Sequence, residues 1–135
     1  MATHGSCACG KVEFEYSANC ITRSANHSGN LWTGAAYTAN AIIPRGAFKL
    51  TKGTPKTWDA VGDTGKINKH YFCGDCGSGL YTELEIMPDL MCVKAGTLDG
   101  GAANLDNKVD IEFYTKDRLG YLQVTPGAKQ EPVFG

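Results

Sequence analysis

Cys7-Ala8-Cys9-Gly10 near the start and Cys73-Gly74-Asp75-Cys76-Gly77 past the middle carry two tight cysteine pairs. Four thiols in two tight pairs are what a tetrahedral zinc site requires. Each short spacing lets two sulfurs address one ion. The glycine after each pair lets the backbone turn away without a steric penalty. If the pairs meet, they fasten the N-terminal strand to one more than sixty residues later. An adjacent Cys-x-Cys disulfide is strained, so the pattern favours metal over disulfides. Four thiolates close the coordination shell, which makes the expected zinc structural and couples its binding to folding.

The chain has 135 residues, six of them cysteine and 17 glycine. This length suits one domain able to bury a core. No apolar run approaches the roughly 20 residues of a membrane span. The start, Met1-Ala2-Thr3-His4-Gly5-Ser6, lacks a basic region followed by an apolar one, so the expectation is a cytoplasmic protein without a signal peptide. A net charge of −1 argues against nucleic acid as the main partner. Charge is uneven. Arg45 to Lys69 carries six basic and two acidic residues, and Asp75 to Asp117 nine acidic and three basic. Both stretches read as solvated faces, or the first as a hold for an anionic small molecule. Cys20 and Cys92 are left over as small buried hydrophobes.

Lys11 to Tyr16 alternates apolar and charged residues, the period of a half-buried strand. Cys20 to Thr22 extends it after a turn. Arg23 to Thr33 is small and polar and reads as a loop or a short distorted helix. Ala35 to Ile43 and Phe48 to Thr51 read as strands, and Asp59 to Gly65 as a loop. Lys69 to Phe72 and Gly79 to Leu84 form a hairpin with the second cysteine pair at its tip. Leu90 to Ala95 follows a turn at Pro88-Asp89. Thr97 to Asn107 reads as a loop or short helix. Val109 to Tyr114 and Tyr121 to Val124 are the last strands. The expected class is mostly β. Residues 1–124 form a single zinc-binding domain and residues 125–135 a loosely held tail. Short exposed strands make a homodimer an expectation.

Gly5-Ser6-Cys7-Ala8-Cys9-Gly10-Lys11-Val12 resembles the opening of the glutathione-dependent formaldehyde-activating enzyme family, which also includes centromere protein V. The resemblance continues in Ala41-Ile42-Ile43-Pro44, in His70-Tyr71-Phe72-Cys73-Gly74-Asp75-Cys76-Gly77-Ser78, and in Val93-Lys94-Ala95-Gly96-Thr97-Leu98-Asp99. It ends with Tyr114-Thr115-Lys116-Asp117-Arg118-Leu119. It implies the β-tent fold, with several small coiled antiparallel sheets around one structural zinc. It also implies a carbon–sulfur lyase that handles glutathione adducts.

The family carries a third cluster, Cys-His-Cys-x-x-Cys before a basic residue and Thr-Gly or Ser-Gly, which holds a second zinc with an open position. Counting back from Thr33-Gly34 places Ser24, Asn26 and Gly29 where those cysteines stand, and Cys20 lies four residues too early. Ser, Asn and Gly are poor zinc ligands beside thiolates. The departure points to metal-free acid–base chemistry of lyase, dehydratase or isomerase type on a small organic substrate. His27 then reads as a general acid or base, or as an exposed loop histidine. Ser24 and Asn26 read as hydrogen-bond donors to a carbonyl or enolate. Glu112 reads as a second acid–base group or partner for His27, or as a solvated strand residue. Tyr37, Lys66, His70 and Trp32 are further candidates to line a cavity. His70, next to the knuckle, also reads as a hydrogen-bond partner of the zinc thiolates. Trp32, Trp58, Tyr37 and Phe48 read as core. Retained glutathione-dependent lyase activity and a non-catalytic binding module are the competing functions.

Overall fold

A computed structural model describes residues 2–19, 22–28 and 30–134. Cys20 and Gly29 lie outside the described residues. Among the described residues eleven strands run in chain order: β1 Thr3–Ser6, β2 Glu13–Tyr16, β3 Thr22–Asn26, β4 Thr38–Pro44, β5 Phe48–Lys52, β6 Lys56–Val61, β7 Ile67–Phe72, β8 Gly79–Leu84, β9 Met87–Lys94, β10 Ile111–Phe113 and β11 Lys129–Glu131. One short helix, α1 Asn30–Thr33, follows β3. Among the described residues β1, β2 and β5 form a three-stranded sheet, and the others form an eight-stranded sheet in the order β11-β10-β3-β4-β9-β8-β7-β6. The class is mostly β, as the residue patterns indicate.

Alternation along the strands builds two faces on the large sheet. Ala41 and Ile43 of β4, Tyr81 of β8, and Met91 and Val93 of β9 are buried in one cluster with Phe14, Tyr16 and Val12 of the small-sheet side. An aromatic group seals this core. Phe48 lies 4.5 Å from Tyr81 and 5.4 Å from Phe14 between ring centroids, and Tyr71 lies 4.6 Å from Tyr81. The neighbours in sequence, Asn40, Ile42, Cys92, Lys94 and Thr82, leave the opposite face of the same sheet.

Several sequence-based expectations shift. Thr22–Asn26 is a strand and not loop, because β4 and β10 pair with it on its two sides. The hydrogen bonds of the ladders override its polar composition. Lys56–Val61 is a strand where Asp59 to Gly65 reads as a loop, and the turn before β9 falls at Glu85-Ile86 rather than at Pro88-Asp89. Tyr121 to Val124 joins no ladder; Tyr121 and Val124 are exposed.

The loosely held tail is also corrected. β11 pairs in parallel with β10, as β10 does with β3. Phe134 packs edge-on against Phe113, with centroids 4.8 Å apart. Lys129 N–H donates to the Asp110 carbonyl at 2.9 Å, and the Gln130 side chain reaches Glu112. The segment lacks hydrophobic periodicity because backbone and polar contacts hold it. Truncation after Val124 therefore removes two donors to a buried carboxylate and one ring contact. We expect a loss of about 3 kcal/mol or more in urea unfolding. An unchanged midpoint would show that the tail adds nothing.

Candidate functional site

The two cysteine pairs meet. The four sulfurs of Cys7, Cys9, Cys73 and Cys76 lie within 4.8 Å of one another. Cys7 and Cys9 Sγ are 3.6 Å apart, and Cys9 and Cys73 Sγ 3.7 Å. Sulfurs about 2.3 Å from a tetrahedral ion lie about 3.8 Å from one another, so the set fits one metal ion. Both following glycines have left-handed φ, 78° at Gly10 and 79° at Gly77, as the turns require. Val12 N–H donates to Cys7 Sγ at 3.3 Å and Asp75 N–H to Cys73 Sγ at 3.4 Å. The Ser78 hydroxyl lies 3.2 Å from Cys76 Sγ; with the Ser78 N–H it holds that thiol down at about 5. These contacts favour thiolates, the form that binds metal. Among the described residues no other group of three or more His, Cys, Asp or Glu side chains converges.

The large sheet carries a second feature on its face away from the core. A cavity of about 340 Å³ lies there. Its wall crosses five strands. Ser24 of β3 is opposite Asn40 of β4, and Asn40 is opposite Lys94 of β9. One register further, Cys92 is opposite Thr82 of β8, and Thr82 is opposite His70 of β7. All six line the cavity. Asn26 continues the row from Ser24, and Trp32 of α1 flanks it.

Hydrogen bonds tie the wall together. Lys94 Nζ donates to Asn40 Oδ1 at 3.1 Å, and Asn40 Nδ2 to Ser24 Oγ at 3.5 Å. Asn26 Oδ1 accepts from the Ser28 N–H at 2.8 Å and from its hydroxyl at 2.7 Å, which leaves the Asn26 amide nitrogen outside that turn. His70 Nδ1 pairs with Thr82 Oγ1 at 2.8 Å. Its ring stacks on Trp32 at 4.8 Å, and Trp32 stacks on Trp58 at 5.5 Å. Burial, then the Lys94 charge, pushes His70 down to about 4, so the imidazole is neutral near pH 7. Burial also lowers Lys94. Cys92 rises to about 11 because its thiol is buried, the Lys94 charge opposing the rise.

Of the sequence-derived site residues, Ser24 and Asn26 line the cavity and His27 and Glu112 do not. The reason is the two-residue period. Ser24 and Asn26 share one face of β3, while Ala25 and His27 point to the other. β10 pairs in register, so Glu112 opposite Ala25 joins the far face and Phe113 opposite Asn26 joins the cavity. His27 and Glu112 do meet. Both are 2% exposed, and His27 Nε2 donates to Glu112 Oε1 at 2.9 Å. This corrects both the exposed-loop reading of His27 and the solvated reading of Glu112. His27 Nδ1 is buried without a partner among the described residues.

Glu112 is the hub of that reverse face. Its Oε2 accepts from Gln130 Nε2 at 2.7 Å, Thr125 N–H at 3.0 Å and Arg118 Nη2 at 3.2 Å. Burial alone would raise the carboxyl; the bonds from His27, Gln130 and Thr125 and the Arg118 charge outweigh it and hold it at about 2. Nearby, Asp110 accepts from Arg23 Nε at 2.9 Å and Nη2 at 3.3 Å, a second clamp between β3 and the segment entering β10.

His70 makes its hydrogen bond to Thr82 and its stack to Trp32, not to the thiolates. Trp32 and Trp58 belong to the cavity side; of the four aromatics assigned to the core only Phe48 packs there. Tyr37 borders a neighbouring groove that Lys94 also lines, and Lys66 lines neither. None of the six basic residues between Arg45 and Lys69 lines the cavity. Cys92 is half-buried on its wall. Asn40, Thr82 and Lys94 went unassigned by sequence reasoning. The alternation of Met91, Val93 and Ala95 against Cys92 and Lys94 was a usable signal for Lys94.

A β fold clamped by four cysteines, with a polar cavity on the outer face of its larger sheet, defines the class. The model of the glutathione-dependent formaldehyde-activating enzyme family matches residues 2–117, and the chain belongs to that family. A solved Rhodobacter sphaeroides protein shares the fold at a TM-score of 0.62 and 19% identity, covering 78% of this chain and 96% of its own. No curated protein sequence matches the chain significantly. Among the described residues no helix is long and apolar enough to cross a membrane.

The Glu112 network has a pH signature. The folded-state pKa lies below the ordinary value of 4.5, so its stabilisation is full above about pH 5 and is lost as pH falls toward 2. A shift of this size corresponds to roughly 3 kcal/mol. Glu112→Gln is expected to lower stability at pH 7 by about 2–3 kcal/mol and to flatten the decline between pH 5 and 2. Chemical denaturation across that range checks it. A wild-type curve already flat there would contradict the assignment.

Proposed function

We propose that the chain is a small-molecule enzyme of lyase, dehydratase or isomerase type. Its zinc is purely structural, held by Cys7, Cys9, Cys73 and Cys76, and its chemistry is acid–base catalysis from the cavity face of the large sheet. The single observation carrying this reading is the composition of that wall. Where the family pattern has its first two additional cysteines, Ser24 and Asn26 line the cavity instead, beside Asn40, Lys94, Thr82 and His70. Hydroxyl and amide groups are weak zinc ligands but good hydrogen-bond partners for a carbonyl or an enolate oxygen.

A neutral imidazole can accept a proton near pH 7 and return it within the same turnover. His70 has that form, is held by Thr82, and is covered on one face by Trp32. Asn26 and Ser24 stand across the cavity as donors to the oxygen on which charge develops. This division suits removal of a proton beside a carbonyl, followed by elimination or by reprotonation elsewhere. The cavity volume suits a small substrate. His27 and Glu112, expected from sequence to be catalytic, serve as positioning residues that fix β3, and hence Ser24 and Asn26, against β10 and the tail. The zinc, when bound by four thiolates, has no open position and supplies folding energy only.

Elemental analysis of purified protein should give one zinc per chain. Exchange between glutathione and formaldehyde, followed by NMR, should proceed at its uncatalysed rate with the protein present. Two zinc ions per chain, or an acceleration abolished by a chelator, would overturn the metal-free reading.

A further inference from the structure

Lys94 is the feature of the cavity that hydrogen bonding leaves least explained. It sits near the end of β9, half-buried, with its ammonium group against the neutral Oδ1 of Asn40. Among the described residues no carboxylate lies within 4.0 Å of Nζ. The charged and titratable groups sharing its cavity are His70, Cys92, Asp63, Tyr114, and Lys116 with Asp117. Of these, His70 is neutral and Cys92 is a thiol. Asp117 accepts from Lys116 at 3.1 Å. Elsewhere on the chain lysines meet acids: Lys11 with Asp75, Lys52 with Glu13, Lys69 with Asp59, Lys108 with Asp110.

A lysine kept only to bind anions retains its charge best beside a carboxylate or in the open. Lys94 is half-buried against an amide oxygen beside hydroxyl, thiol and imidazole groups, and the cavity's two carboxylates are engaged elsewhere, Asp63 with Tyr114 and Asp117 with Lys116. Such surroundings favour the free amine, and a free amine facing a cavity is a nucleophile toward carbonyl carbon. We propose that Lys94 is a catalytic residue that captures a small aldehyde or ketone as a Schiff base. This rests on reading the cavity as an active site.

The step balances without a further reagent. The nitrogen lone pair forms a bond to the carbonyl carbon, and the π pair moves to oxygen. A proton passes from nitrogen to that oxygen to give a carbinolamine. The nitrogen pair then forms C=N as the oxygen, taking a second proton from solvent, leaves as water, and the nitrogen keeps its remaining hydrogen as a protonated imine. The resulting protonated imine is a stronger electron sink than the carbonyl. It would ease proton removal at the adjacent carbon by His70, whose ring shares the wall. Asn40, which holds Nζ and is itself bonded to Ser24, positions the amine toward the cavity.

The full-length protein is incubated with propanal and sodium cyanoborohydride, and alkylation is mapped by peptide mass spectrometry over a range of pH. The exposed Lys11 and Lys108 are internal references; their side chains are 66% and 63% accessible. Lys94 should label at least about tenfold faster than either at pH 7, with its rate rising at lower pH than theirs. In Asn40→Asp a carboxylate replaces the amide oxygen and stabilises the ammonium. Labelling of Lys94 at pH 7 should then fall by about tenfold or more, and its profile should move to higher pH. Labelling no faster than the references, or a folded Asn40→Asp protein with an unchanged Lys94 profile, would overturn the proposal. If that variant does not fold, the wild-type pH profile decides alone. Catalysed glutathione–formaldehyde exchange would sink the metal-free reading whatever Lys94 does. Inert exchange with unlabelled Lys94 removes only the lysine.

Discussion

The convergence of four sulfurs is the constraint on which the rest depends. Cys7 and Cys9 sit in the turn between β1 and β2 of the small sheet, and Cys73 and Cys76 in the hairpin between β7 and β8 of the large one. The Ala8 N–H also donates to the Ser78 hydroxyl at 3.0 Å, and Lys11 pairs with Asp75 at 3.6 Å, so polar contacts join the same two turns. Closing a loop of more than sixty residues costs entropy that a bound metal ion would offset through thiolate bonds. Once the turns are fixed, Phe14, Phe48, Tyr71 and Tyr81 are gathered into one core between the sheets.

The core then decides where chemistry can occur. A strand with one face in an apolar cluster presents every second residue to the other side. Met91 and Val93 in the core oblige Cys92 and Lys94 to face away, and Ala41 and Ile43 do the same for Asn40 and Ile42. Because β3, β4, β9, β8 and β7 are consecutive in the sheet, their outward residues form a continuous row. A shift of one residue in any strand would exchange a core side chain for a cavity side chain, so burial of the core also maintains the site's register.

The convergence of the four cysteines was legible because local spacing and ligand chemistry specify it almost completely. The strands with alternating apolar residues, such as Glu13–Tyr16, were legible for the same reason. β3 was not. Thr22-Arg23-Ser24-Ala25-Asn26 has no apolar stripe, and it is a strand because two neighbours hydrogen-bond to it. β11 is held by Gln130, Lys129 and Phe134, none of which forms a period. The site was half legible. Ser24 and Asn26 could be located by counting from Thr33-Gly34, but which of residues 24–27 face the cavity depends on strand geometry, and the count treated His27 as their companion. The meeting of His27 with Glu112 was recognisable as chemistry. Its position behind the wall required the register of β3 with β10.

The two faces of β3 are consequently coupled. On one side Glu112 collects donors from His27, Arg118, Thr125 and Gln130, and Arg23 grips Asp110. On the other side stand Ser24 and Asn26. A buried carboxylate with a full set of donors holds its surroundings in one arrangement, since displacing any partner leaves charge unsatisfied. The polar cavity wall has weaker internal bonds, such as the 3.5 Å contact from Asn40 to Ser24. Its order is thus inherited from behind. With only such contacts on the cavity side, the carboxylate network on the reverse face is what keeps β3 in position.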